Sequence, residues 1–307
     1  MSGERGRKAE AGGGGIEGRF AGERGRDDAG AFPVRTEDKT LESITNDKTM
    51  NSNDNFDLSF LQLDATTLDT RTLAEVGELI DRTPGDLVVL PEMFATGFRT
   101  DAAAVAQPVD GEIVTALRAW ARESGKAVVG SVAVADGPTF RNRLFFARPT
   151  GELEWYDKRH LFRPGGETDT FTPGDRRTVV EYRGIRFLLL VCYDLRFPVW
   201  SRCRRDYDVI LCSAAWPSSR RDVWRTLLCA RALENQAWIV GANFCGEDPT
   251  GRYAGASAIV DCYGRFRAEA PESASVCRTV HFSLEEQNRF RERFPTWREA
   301  DDFTLGQ

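Results

Sequence analysis

Beyond about residue 55 the apolar positions follow two rhythms in turn. One recurs at every second residue or in short unbroken runs, the other at every third or fourth. The first marks strands, the second helices buried along one face. "DLSFLQLD" (57–64) and "DLVVL" (86–90) read as strands. Between them "RTLAEVGELIDR" (71–82) sets Leu73, Val76, Leu79 and Ile80 at helical spacing. "EIVTALRAWARESG" (112–125) puts Ile113, Leu117 and Trp120 on one helix face and ends at Gly125, a residue suited to a left-handed C-cap. "KAVVGSVAV", "RLFFARP" and "ELEWYDK" are three strands punctuated by Asp136-Gly137-Pro138 and Pro149-Thr150-Gly151. "TVVEY" and "IRFLLLV" flank a turn at Arg183-Gly184, and "DVILCSAAW" is a further strand. After the long helix "DVWRTLLCARALENQ" (222–236) come strands in "AWIVGAN", "SAIVDC", "RFRAEA" and "CRTVHF". The last helix opens on Ser283-x-x-Glu286, a capping-box pattern.

There is no internal repeat and no linker within this pattern, so residues 55–307 read as one α/β domain. Its hairpin-like strand pairs are too many for a single open parallel sheet and fit a layered sandwich of two sheets with helices outside. Residues 1–54 break the pattern. Ten of the first 30 residues are glycine, and most of the others are Arg, Glu, Asp and Ala. Such a segment buries too little apolar surface to offset its ordering entropy, and a disordered tail is expected. Ile16-Glu17-Gly18-Arg19 matches a protease site used in expression work, and Met50 is an alternative start.

Composition narrows the class. A chain of 307 residues, 41% hydrophobic, can bury one large core. Its 41 basic and 47 acidic residues are interspersed, net charge −6, which offers neither a nucleic-acid groove nor a polybasic membrane patch. No apolar run approaches the ~20 residues of a membrane span, and no signal-peptide core is present near the N-terminus. Seven cysteines, an odd count with no C-x-x-C pair, imply a reduced, cytoplasmic protein in which most act as small apolar fillers. The close Cys/His spacing of a zinc site is missing, so no metal is expected. Histidine is scarce: only His160 and His281.

Chemistry in open α/β sheets collects beyond the carboxyl ends of strands. Three residues sit there. Cys192 follows the apolar run 185–191 and precedes a helix opened by Pro198, Glu92 follows "DLVVLP", and Lys158 ends "ELEWYDK". Singly, each has a plainer explanation, as a core thiol, a helix cap and a solvated strand end. A base, a cation or a helix N-terminus beside Cys192 would each raise its thiolate fraction. A Cys–His pair using His160, two residues past Lys158, is the competing arrangement; His281, in a late strand, reads as structural.

The blocks "LPEMFATGF", "WYDKRHLF" and "LLLVCYDLRFP", in that order, resemble the nitrilase (carbon–nitrogen hydrolase) superfamily. "YDKRHLFRPGGE", "VCYDLRFPVWSR", "AAWP", "ARALENQAW" and "ERFPTWREADDF" resemble its omega-amidase branch over about residues 55–307. The resemblance implies a four-layer α-β-β-α sandwich of two mixed sheets with outer helices, and a catalytic triad on Glu92, Lys158 and Cys192. It places a second glutamate on Glu167 and the oxyanion-binding backbone N–H on Tyr193. The implied reaction releases ammonia from the terminal amide of a small oxo-acid such as 2-oxoglutaramate or 2-oxosuccinamate, through a cysteine thioester and without a cofactor. Deaminated glutathione is a related family substrate, and a nitrilase or carbamoylase activity is the near alternative. A substrate carboxylate needs a cation besides Lys158, and Arg196, Arg163 and Arg99 are the candidates; Arg196 could instead pair with Asp194. Phe98 and Trp216 are candidate wall residues. The resemblance also implies a homodimer, with 200–205 and 224–233 as contact faces. Outside this class stand an inactive binding scaffold, which the intact triad opposes, and a nucleotide-binding protein, which the lack of a P-loop or a G-x-G-x-x-G after a strand opposes.

Overall fold

The computed structural model describes residues 56–305, so the tail expected over 1–54 lies outside the described residues. The chain runs β1 (Phe56–Asp64), α1 (Leu73–Arg82), β2 (Leu87–Val89), α2 (Ala102–Val105), α3 (Glu112–Ser124), β3 (Ala127–Asp136), β4 (Thr139–Ala147) and β5 (Leu153–Asp157). It continues through β6 (Val179–Tyr182), β7 (Ile185–Val191), α4 (Pro198–Ser201), β8 (Val209–Ser213), α5 (Arg221–Asn235) and β9 (Trp238–Ala242). The short strands β10 (Phe244–Cys245), β11 (Glu247–Asp248) and β12 (Gly251–Arg252) precede β13 (Ala258–Val260), β14 (Phe266–Glu269), β15 (Val276–Phe282) and α6 (Leu284–Arg293).

Two mixed sheets result. In the first, β1, β2 and β3 are parallel, β4 and β5 extend it as antiparallel hairpins, and β15 and β10 share the other edge of β1. In the second, β7, β8 and β9 are parallel, and β6, β13 and β14 add antiparallel edges. Period-two alternation sorts the first sheet's side chains. Leu58, Phe60, Leu87, Val89 and Phe146 face the second sheet, while Leu61, Val88, Val128 and Phe145 face α1 and α3. Phe187 of β7 meets Phe56 and Phe146 of the opposing sheet at 5.8 and 5.9 Å. On the outer side of the second sheet α5 sets Trp224 and Leu228 directly against Gly241 of β9, where a β-carbon would lie 2.8 Å from the indole. The order helix–sheet–sheet–helix is thus the sandwich expected from the hairpin count. Among the described residues no helix is long and apolar enough to cross a membrane.

Local signals differ from expectation in three places. Ser283 Oγ accepts the Glu286 N–H at 3.2 Å, half of the expected box. The reciprocal box forms instead at α1, where Thr72 and Glu75 bond each other's backbone N–H. The helix expected at Pro198 is a single turn, and Cys192–Arg196 is a 3-10 segment.

Candidate active site

The carboxyl ends of β2, β5 and β7 converge, and inter-sheet bonds hold them there. Ser213 Oγ, at the end of β8, donates to Leu90 O at 2.7 Å, and Glu92 N–H donates to Ala214 O at 3.1 Å. Cys192 leaves β7 with φ 46°, in the left-handed region that costs a non-glycine residue about 1–2 kcal/mol. The buried carboxylate of Asp194 holds that turn. It accepts from Val191 N–H (3.0 Å), Tyr156 OH (2.8 Å) and His160 N–H (2.9 Å), and meets His160 Nδ1 at 2.8 Å. Asp194 is therefore a structural anchor, and Arg196 is not its partner.

Lys158, with no exposed side-chain surface, bridges two equally buried carboxylates. Its Nζ donates to Glu92 Oε1 at 2.7 Å and to Glu167 Oε2 at 2.8 Å. Asn142 Nδ2 donates to the same Glu92 Oε1 (2.8 Å) and to Glu167 Oε1 (3.0 Å), and Phe162 N–H donates to Glu167 Oε2 (2.6 Å). Glu92 Oε1 is thus committed to two donors. Its Oε2 accepts the Ala215 N–H at 3.1 Å, and that N–H also reaches the Cys192 thiol. Oε2 is thus the oxygen that Lys158 and Asn142 leave free, and Glu92 and the Cys192 thiol each act on the other's ionisation.

Electrostatics set the resting protonation. Burial drives the Cys192 thiol well above its usual pKa and the charge of Glu92 adds to this, outweighing Lys158 and the Ala215 N–H. The neighbours were expected to favour thiolate; the dry site reverses that, and a single-turn helix that starts at Pro198 offers little dipole to oppose it. Burial also raises the Glu92 carboxyl, helped by Glu167 and opposed by Lys158. Burial alone would lower Lys158, but Glu167 and Glu92 outweigh it and hold the ammonium charged.

The cluster forms one end of a cavity of ≈ 290 Å³, walled by Phe98, Phe162, Tyr193, Trp216 and Tyr253. Of the expected residues, Glu92, Lys158, Cys192, Tyr193, Arg196, Phe98 and Trp216 line it, and Phe98 lies with its ring centroid 5.4 Å from Lys158 Nζ. Glu167 stands behind Lys158 rather than in the wall. Arg163 is exposed outside the cavity and Arg99 pairs with Asp101 on the surface, so neither reaches it. His160 is turned away, bonded to Asp194 and stacked on Phe197 at 3.8 Å; His281 meets Asp57 at an exposed sheet edge. Sequence reasoning missed Asn142, Arg220, Arg252 and Tyr253. Asn142 alone left a trace, as an amide sharing the β4 face of Leu144 and Phe146. Among the described residues no group of three or more His, Cys, Asp or Glu gathers to hold a metal ion.

Residues 60–291 match the model of the carbon–nitrogen hydrolase family. The chain is 45% identical over 221 residues to omega-amidase YafV of Yersinia enterocolitica, covering 72% of this chain and 86% of the relative. It is 34% identical over 220 residues to 2-oxoglutaramate amidase of Bacillus subtilis, covering 69% and 83%. Its fold is similar to the crystal structure of a CN-hydrolase superfamily protein of Xanthomonas campestris with an arsenic adduct in the active site (TM-score 0.77, 36% identity, 82% of this chain and 99% of that one).

Proposed function

Because the chain belongs to the carbon–nitrogen hydrolase family, in its omega-amidase branch, we propose that it hydrolyses the terminal amide of a 2-oxoglutaramate- or 2-oxosuccinamate-type acid, with Cys192 as nucleophile. The observation that carries this reading is the gathering of Glu92, Lys158 and Cys192 at the end of one cavity, with Lys158 Nζ bonded to Glu92. The thiol is protonated at rest, so attack on the amide carbonyl and proton transfer to Glu92 Oε2 proceed together. Lys158 has three N–H donors. Glu92 and Glu167 hold two, and the third, with the Tyr193 backbone N–H, receives the developing oxyanion. Glu92 then returns its proton to the leaving nitrogen. The C–N bond breaks, ammonia departs and a thioester remains on Cys192. Water, deprotonated by Glu92, attacks the thioester, and the acid leaves as the thiol is restored. Glu167 and Asn142 act through Lys158 and Glu92 as positioning residues.

Ammonia release from 2-oxoglutaramate and 2-oxosuccinamate, compared with glutamine, nitriles and N-carbamoyl amino acids, tests the substrate class. Turnover of another class with none of the oxo-acid amides overturns it. Glu92→Gln is expected to lower kcat/KM by about 10²–10⁴-fold, the range of a general acid–base group. Glu92 must be ionised to accept the thiol proton, and its pKa is raised, so activity falls on the acid side. That limb is expected above the ordinary carboxylate value of about 4.3. A limb at or below that value contradicts Glu92 as the base.

The assembly proposed is a homodimer that covers the exposed Val199 on α4 and Leu233 on α5, 54% and 50% exposed in the single chain. Sedimentation should give twice the chain mass; a monomer across micromolar concentrations removes the claim. The described cysteines are all unpaired, which supports a reducing, cytoplasmic setting.

A further inference from the structure

The chain leaves β8 at Ser213, and the ladder to β9 ends one residue later, where Ala214 N–H donates to Ala242 O at 2.8 Å. The next peptide, between Ala214 and Ala215, is bonded to Glu92 at both ends. Its oxygen accepts the Glu92 N–H at 3.1 Å, and its N–H donates to Glu92 Oε2, also at 3.1 Å. Lys158 and Asn142 take Oε1, and this N–H is the backbone donor that holds Oε2. Past Ala215 a buried side chain fixes the backbone. Asn243, just beyond the end of β9, has no exposed surface. Its Oδ1 accepts the Trp216 N–H at 2.7 Å, and its Nδ2 donates to Trp216 O at 3.3 Å and to Gly255 O at 2.9 Å. A carboxamide presents an acceptor and two donors on one flat group. A carboxylate there would face two carbonyl oxygens, and an aliphatic side chain would leave the Trp216 N–H unpaired.

Asn243 is itself held. Its N–H donates to Ser257 Oγ at 2.9 Å, and Ser257 Oγ donates to Gln62 Oε1 at 2.8 Å. Gln62 Nε2 donates to Pro271 O and Ala274 O at 2.7 and 2.9 Å. Ser257 and Gln62 are as fully buried as Asn243. A polar chain thus runs through the apolar core from the β14–β15 connection to the segment that touches Glu92. A buried network whose members are all paired fixes one arrangement, because any other leaves a polar group dry and unbonded. The mechanism given above makes no use of it.

We propose that Asn243 is a positioning residue for the reaction: by gripping Trp216 it fixes the Ala215 N–H on Glu92 Oε2, and that donor keeps Glu92 ionised for proton transfer. This deepens the amidase reading and rests on it. A hydrogen bond to the charged form of an acid favours that form. Removing the Asn243 side chain releases Trp216, lets the Ala215 N–H withdraw, and makes Glu92 harder to ionise. The titratable groups around Glu92, which are Lys158, Glu167, Cys192, Cys212 and Tyr253, stay in place, so the substitution isolates the donor.

The test is the pH profile of Asn243→Ala. The acid limb of its kcat/KM is expected about one pH unit above that of the wild type, so the loss is about tenfold greater below the limb than on the plateau above it. A role confined to stability would lower kcat/KM by one factor at every pH. The same rise is expected, without substrate, in the midpoint of the Glu92 carboxyl carbon, followed by magnetic resonance on protein labelled at glutamate and assigned by Glu92→Gln. The wild type supplies a reading independent of how the variant folds. On protein labelled at the alanine nitrogen, the Ala215 amide, assigned by Ala215→Ser, should titrate with the Glu92 midpoint. A limb and a carboxyl midpoint that stay in place in Asn243→Ala, or an Ala215 amide that does not follow Glu92, overturns the proposal. If no oxo-acid amide releases ammonia, the amidase reading fails while both resonance readings still stand, so the two failures give different results.

Discussion

Cys192→Ala is expected to lower kcat/KM for the oxo-acid amide by at least about 10⁴-fold, the order lost when the nucleophile of an acyl-transfer site is removed. The remaining groups can still polarise the carbonyl, but no atom is left to form the thioester, and direct attack by water has no placed equivalent. Cys192→Ser should be almost as inactive. A hydroxyl is far less acidic than a thiol, and the site already opposes ionisation there by burial. Because alanine keeps the β-carbon in the turn that Asp194 holds, the urea midpoint of Cys192→Ala should stay close to wild type. Ammonia release near the wild-type rate by either variant removes the covalent scheme. Mass spectrometry of the wild type during turnover should show the acyl group on the peptide containing Cys192 and not on those carrying the other cysteines.

Lys158→Met is expected to be the most destabilising single change in the site, by about 3–5 kcal/mol, the cost of stripping the partner from a buried ion pair. The methionine fills similar space, so the loss is electrostatic. Glu92 and Glu167 would face each other across Asn142 with no cation and no exposed surface. Glu167→Gln added to Lys158→Met should recover part of the loss, because one carboxyl remains instead of two. The pH dependence has a defined sign. With the ammonium gone, burial acts on Glu92 with Lys158 no longer opposing it, so its folded pKa rises further above the unfolded value of about 4.3. The stability of a raised carboxyl is present in full below the unfolded pKa and is lost as pH rises through the folded one. The deficit of Lys158→Met against wild type should therefore be smaller at pH 5 than at pH 8 in urea titrations. A deficit independent of pH, or no rescue by Glu167→Gln, contradicts the buried-charge account. Activity should fall with stability, because in the mechanism proposed above the same ammonium receives the oxyanion.

Most strand and helix placements were legible because burial repeats with the backbone's own period. Leu87 and Val89 against Val88 already sort into two faces, and Ile113, Leu117 and Trp120 already share one. Glu92, Lys158 and Cys192 stood at strand ends by the same periodicity, but only the resemblance of the blocks around them to the carbon–nitrogen hydrolase superfamily made them a triad. The pocket cations were not. Arg163 and Arg220 read alike in sequence, as charges in loops, and loops have no period from which to infer direction. In space one points to solvent and the other lies over Phe162 in the cavity wall. Asp194 and Arg196 were ambiguous for a similar reason. Two residues apart, they could pair or part, and the outcome depended on Tyr156 and His160, more than 30 positions earlier.

The sequence by itself determined the two-sheet sandwich, the helix faces and the three strand ends that bring an acid, a cation and a thiol to one level. These follow from local periodicity and from the chain leaving each strand at its end. Only the tertiary structure decided that burial raises the thiol pKa, that Lys158 and Asn142 take Glu92 Oε1 while Ala215 N–H takes Oε2, and that Asn142 joins two carboxylates 25 and 50 positions away. It alone also turned Arg220 and Arg252 into the cavity and Arg163 out of it. Desolvation and charge act between neighbours in space, and which residues become neighbours is settled only when the sheets pack.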